Sequence, residues 1–209
     1  MEKRLKFNKK LSKTVGGEKI EYRILWGNEK IVFIKSGVPD DIEEDEDKEK
    51  HEYVDKYLIM AHRVHERIGA TVICASNCDL DSDTQLKIDK ALIRKVITDC
   101  GLKNYELYFV GTSDGGEHSL KLSQQFPETV KFLGLNSSWC NIEEFLERAT
   151  SLPHVKKTFV YGAMDDDFDD IVPRLKSLAC DNLEIVVLDG VDHDFTGKVD
   201  DFIALIDLI

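Results

Sequence analysis

Tyr105-Glu-Leu-Tyr-Phe-Val110-Gly-Thr-Ser113-Asp-Gly-Gly-Glu-His-Ser-Leu-Lys-Leu-Ser-Gln-Gln-Phe126 decides how the chain is read. Its first six residues are largely apolar and aromatic and predict a buried strand over 105–110. A Gly-rich turn follows, then a helix through Phe126, which Pro127 closes. Gly111-Thr-Ser113-Asp-Gly115 matches Gly-x-Ser-x-Gly and stands between that strand and that helix. A serine on so sharp a turn sits in strained backbone geometry, and side chains at the flanking positions would collide with the neighbouring strand and helix. The hydroxyl is thereby held above the carboxyl ends of the strands, where a helix N-terminus favours developing negative charge.

Working outward, strand-like and helix-like segments alternate from residue 31 to the C-terminus, with no linker and no internal repeat. That pattern predicts an α/β fold: a mainly parallel sheet flanked by helices on both faces. Lys30-Ile-Val-Phe-Ile-Lys35 is the first strand of the alternation, and Lys19-Ile-Glu-Tyr-Arg-Ile-Leu25, alternating apolar and polar, reads as a half-exposed edge strand. A helix over 48–68 carries Tyr53, Tyr57, Ala61, Val64 and Ile68 on one stripe, with His62 and His65 on the wetter side and Gly69 as its left-handed cap. Strand 70–75 follows, then a capping box at Ser82-Asp-Thr-Gln85 opening a helix that buries Ile88, Leu92, Ile93, Val96, Ile97 and Cys100. Strand 130–135, a short helix capped by Asn141 and running to Leu152, and strands 155–161 and 183–188 complete the sheet. The helix between the last two strands is expected to start near Pro173, and an amphipathic helix over 199–209 closes the chain.

A length of 209 residues suits a single domain over 1–209. The net charge of -12 repels phosphate backbones and anionic membrane surfaces, so no nucleic-acid and no membrane partner is expected. No apolar run is long enough to span a bilayer and the basic start lacks a following apolar stretch, so cytoplasmic residence is expected. Cys74, Cys78, Cys100, Cys140 and Cys180 are odd in number and scattered, which suits reduced thiols. Cys74-Ala-Ser-Asn-Cys78 lacks zinc-knuckle spacing, and the charged run 40–52 lacks the calcium-loop pattern and reads as a solvated loop feeding a helix. Neither a metal nor a cofactor is expected. The Gly111 turn has neither the lysine of a phosphate loop nor a Gly-x-Gly-x-x-Gly fingerprint, which disfavours nucleotide binding.

A serine hydroxyl is a poor nucleophile until a base takes its proton, and that base needs an orienting carboxylate. Both occur downstream. The strand ending at Tyr161 runs into Gly162-Ala-Met-Asp165-Asp-Asp167, and the strand ending at Leu188 runs into Asp189-Gly-Val-Asp-His193. Each group lies just past the carboxyl end of its strand, on the rim that carries Ser113, in the order Ser, Asp, His. The amide of Asp114, directly after Ser113 at the helix start, is one candidate oxyanion donor. His51, His62, His65, His118 and His154 have no convergent partner; His118, on the helix that Ser113 opens, is the one that would reach the pocket edge.

From about residue 30 onward the sequence resembles the α/β-hydrolase family. The elbow, the double glycine, the small and apolar helix face and the Phe126-Pro-Glu ending carry that resemblance most densely. It implies Ser113 as nucleophile, His193 as general base and then acid, and an aspartate after Gly162 as the third member. The family spacing from Gly162 selects Asp165; Asp166 and Asp167 adjoin it, and counting back from Val172-Pro173 gives Asp169 instead. The resemblance also implies hydrolysis of a small acyl ester or thioester through an acyl-enzyme. A second oxyanion donor then comes from the loop after strand 30–35, where Val38 is the choice because Pro39 has no amide hydrogen. Only one short helix lies between Trp139 and the strand at Val155, so no separate lid domain is expected, and Trp139, Met164 and Phe195 are candidate acyl-pocket residues. The opposing expectation is a non-catalytic binding module of the same fold, favoured by the missing histidine before Gly37 and by the acidic insert at 40–47.

Overall fold

A computed structural model of the chain describes residues 6–37, 47–78 and 80–209, with side chains in the first helix from residue 56 onward. The acidic run 40–46, Val38 and the side chains of His51 and Tyr53 lie outside the described residues. Among the described residues eight strands, β1 (Lys9–Val15), β2 (Glu18–Leu25), β3 (Asn28–Lys35), β4 (Ala70–Ala75), β5 (Glu106–Thr112), β6 (Thr129–Leu135), β7 (Lys156–Gly162) and β8 (Leu183–Leu188), form one sheet. Their order is β1-β2-β4-β3-β5-β6-β7-β8. β1 and β2 pair antiparallel, as do β2 and β4, and every other neighbouring pair is parallel.

Among the described residues six helices, α1 (Asp47–Ile68), α2 (Ser82–Asp99), α3 (Asp114–Ser123), α4 (Ile142–Thr150), α5 (Phe168–Ser177) and α6 (Val199–Ala204), cover the two faces. The alternation of side chains along a strand sorts the core. In β3, Ile31 and Phe33 join the cluster beneath α2, α3, α4 and α5, whereas Val32 and Ile34 join the cluster beneath α1 and α6. Because both faces are covered, the central strands are continuously apolar, as parallel strands buried on both sides must be.

Four local expectations are corrected. β2 is not an edge strand: β1 lies outside it, joined by a two-residue turn in which Gly16 and Gly17 take φ of 61° and 97°. Positive φ at both central positions is what a tight hairpin turn requires, and glycine supplies it without steric cost. Helix α2 is capped by Asp81, whose carboxylate accepts the Thr84 amide at 2.9 Å, rather than by Ser82. Gln85, expected to close the capping box, is buried and donates to the Cys78 and Leu80 carbonyls. Pro173 sits in the middle of α5 and does not open it; it forgoes a single intrahelical bond there. The closing helix ends at Ala204 and tightens into a 3₁₀ turn over Leu205–Leu208.

Candidate active site

Ser113 joins β5 to α3 with φ of 53° and ψ of -130°, a conformation costing about 1–3 kcal/mol for a residue with a side chain. The surroundings hold it there. Its amide donates to the Leu135 carbonyl at 3.0 Å, and its own carbonyl accepts the Gly116 amide at 2.8 Å. A Cβ on Gly115 would lie 2.3 Å from the Ser36 carbonyl oxygen, so only glycine lets α3 approach the loop after β3 this closely.

The loops after β7 and β8 bring their side chains to Ser113. His193 Nε2 lies 2.9 Å from Ser113 Oγ, and His193 Nδ1 lies 2.8 Å from Asp165 Oδ2. The other carboxylate oxygen of Asp165 accepts the Asp167 amide at 2.8 Å, which fixes the group in a buried position. Of the four aspartates considered, Asp165 is the one hydrogen-bonded to His193; Asp166 and Asp169 are exposed, and Asp167 is half-buried. The Asp165 hydrogen bond outweighs burial and raises the His193 imidazole above its ordinary 6.5. Burial, and then the Asp165 charge, raise the Asp167 carboxyl. Asp165, Asp167 and His193 also place one ligand-capable atom each within 4.8 Å of one another.

Solved structures share this sheet and its helical layers. An α/β serine hydrolase homologue from Coxiella burnetii is 15% identical over 98% of each chain, with a TM-score of 0.71. A serine hydrolase without lid from Xanthomonas campestris is 14% identical, covering 99% of this chain and 95% of that one, with a TM-score of 0.63. The thioesterase domain from the curacin biosynthetic pathway is 14% identical, covering 96% and 98%, with a TM-score of 0.61. The fold is that of the α/β hydrolases. No protein-family model and no curated protein matches the sequence.

Within the α/β-hydrolase fold, the connection from β6 to β7 holds only the nine-residue helix α4, so no lid domain is inserted there. Asp114 is the first residue of α3, with its amide adjoining Ser113. The expected lining residues separate. Met164 is exposed, and Trp139 is half-buried with its ring 6.1 Å from that of Phe145. Phe195 is taken up by the core, its ring edge-on to Phe202 at 5.2 Å.

Three features escaped the sequence reading. Asn136, at φ of 40° just after β6, donates to the Asp192 and His193 carbonyls at 2.9 and 2.8 Å and accepts the Gly162 amide at 2.8 Å. One side chain thus ties the histidine loop to the end of β7. Ser138, two residues on, lies 3.1 Å from Ser113 Oγ. Beneath the elbow, Asp89 of α2 accepts Tyr22 at 2.6 Å, Lys35 at 3.0 Å and His118 at 2.9 Å, all four side chains being buried. His118 therefore lies in this network and not at the pocket edge. Burial alone would raise the Asp89 carboxyl, but Lys35 and the His118 and Tyr22 hydrogen bonds hold it below 3.8. Burial lowers His118 below 6.5. A partnered aspartate inside an otherwise apolar helix stripe leaves no periodic signal in the sequence.

Proposed function

We propose that the chain is a serine hydrolase that cleaves small acyl esters or thioesters through an acyl-enzyme. The observation that carries this reading is the unbroken hydrogen-bonded series Ser113, His193, Asp165, at 2.9 and 2.8 Å, on a strained strand-to-helix turn. Ser113 Oγ attacks the acyl carbon while its proton passes to His193 Nε2, and Asp165 stabilises the imidazolium that forms. The leaving group departs with that proton. Water, deprotonated by His193, then attacks the acyl carbon and frees Ser113. The amides of Asp114 and Val38 receive the oxyanion. Such a site takes a small-molecule acyl substrate and needs no cofactor. We assign it to the cytoplasm on its thiols: none of the five cysteines is in a disulfide. Among the described residues no helix is long and apolar enough to cross a membrane.

Turnover of short-chain p-nitrophenyl esters and acyl thioesters by the parent and by Ser113→Ala tests the reading. The variant is expected to lose about 10⁴-fold or more in kcat/KM while unfolding at the same denaturant concentration. Equal activity in both would refute it. The carboxylate pair beside His193 favours one second reading, a divalent-metal site on Asp165, Asp167 and His193. Activity abolished by chelation and restored by metal would support that reading instead.

A further inference from the structure

Ser113 Oγ has two hydrogen-bonding neighbours, His193 Nε2 at 2.9 Å and Ser138 Oγ at 3.1 Å, and has only one proton to give. The direction of each bond follows from Asp165. An ionised carboxylate only accepts, so His193 Nδ1, 2.8 Å from Asp165 Oδ2, carries the ring proton. The Nε2 of that neutral ring is then an acceptor, and the Ser113 proton goes to it. The proton between the two serines therefore belongs to Ser138, whose hydroxyl donates to the Ser113 oxygen. Ser138 follows β6, which lies beside β5 in the sheet.

We infer that Ser138 is a catalytic donor to the Ser113 oxygen that accelerates release of the acyl group more than its capture; this rests on the proposed hydrolase reading. In acylation the Ser138 bond is already made to the free Ser113 hydroxyl in the ground state, so it gains little on the way to the transition state; once Oγ is the ester oxygen of the acyl-enzyme it is a weaker acceptor. Deacylation runs the other way. Water bonds to the acyl carbon as its proton passes to His193 Nε2; the bond from the acyl carbon to Ser113 Oγ breaks, and the electron pair returns to Oγ, which takes the proton from Nε2. Negative charge grows on Oγ in that step, and a donor to a developing oxyanion bonds more strongly than to a neutral oxygen. Only the strengthening between ground and transition state raises a rate, and it is larger starting from the ester oxygen than from the free hydroxyl, so this bond favours release more than capture.

The test is stopped-flow and intact-mass kinetics with p-nitrophenyl acetate on the parent, Ser138→Ala and Ser138→Thr, with the acylation and deacylation constants measured separately. Ser138→Ala is expected to deacylate about tenfold more slowly, with its acylation constant within about twofold of the parent and acetyl-enzyme accumulating. Ser138→Thr, which keeps a hydroxyl, restores deacylation. Equal loss in both constants would mark a merely structural role, and unchanged deacylation would remove any role; either overturns the inference. A parent that forms no acetyl-enzyme at all overturns the hydrolase reading first, and this inference with it.

Discussion

Asp89 joins two strands and two helices through single atoms, meeting Tyr22 of β2, Lys35 of β3 and His118 of α3 from its own place on α2. Lys35 is the last residue before the loop that packs on Gly115, so this buried cluster underpins the elbow. Asp89→Ala would leave Lys35 charged and unpartnered inside the protein, a loss expected to cost about 3–5 kcal/mol in denaturant unfolding. The depressed His118 contributes stability that is fully present above 6.5 and lost as the pH falls below it. The depressed Asp89 contributes stability present above 3.8 and lost as the pH falls through its folded value. Between pH 7.5 and about 5.5 the unfolding midpoint is therefore expected to fall less in His118→Gln than in the parent. His193 has the opposite sign, and its neutral form is the base. The acid limb of kcat/KM is expected to have its midpoint above 6.5, and Asp165→Asn, which removes the cause of the shift, to move that midpoint down. The meeting of Ser113 and His193 was legible because both lie just past strand ends on one rim of the sheet. Asp89 was not, since a buried carboxylate is explained only by partners distant in sequence.

At the scale of elements, the sheet was readable along the strands that alternate with helices: the fully buried β4 and the half-buried edge strand β8 both fall on the residues that the sequence indicates. The antiparallel side was less so. β1 is half-exposed along its length, and its signal resides mainly in the Gly16-Gly17 turn. The cap of α2 and the start of α5 shifted because neighbouring loop contacts took over the expected roles: Gln85 turns to the preceding loop, and α5 begins beside the anchored Asp165. The loop that carries His193 hangs on Asn136, which bonds its backbone twice. Asn136→Ala is expected to lower kcat/KM by about 10–100-fold, with far less effect on folding than Asp89→Ala, as measured by ester turnover beside unfolding curves.

For the whole molecule, charge and topology bear on which substrates arrive. The net charge is -12, and the loops at the carboxyl ends of β5, β7 and β8 carry exposed or half-buried Asp114, Asp166, Asp167, Asp192 and Asp194 around Ser113. Esters with a cationic leaving group are expected to show higher kcat/KM than anionic ones of equal size, with the ratio shrinking as salt rises from about 0.05 to about 0.5 M. The absence of a lid insertion between β6 and β7 was legible from the short spacing in the sequence, and Ser113 is half-buried with its hydroxyl on His193. Such a serine can be tested chemically before any substrate is known. The most direct measurement is the intact mass of the parent and of Ser113→Ala after exposure to a fluorophosphonate. One adduct on the parent and none on the variant is the expected result; a folded parent that takes up no adduct, or a variant that takes up the same one, would contradict an activated Ser113.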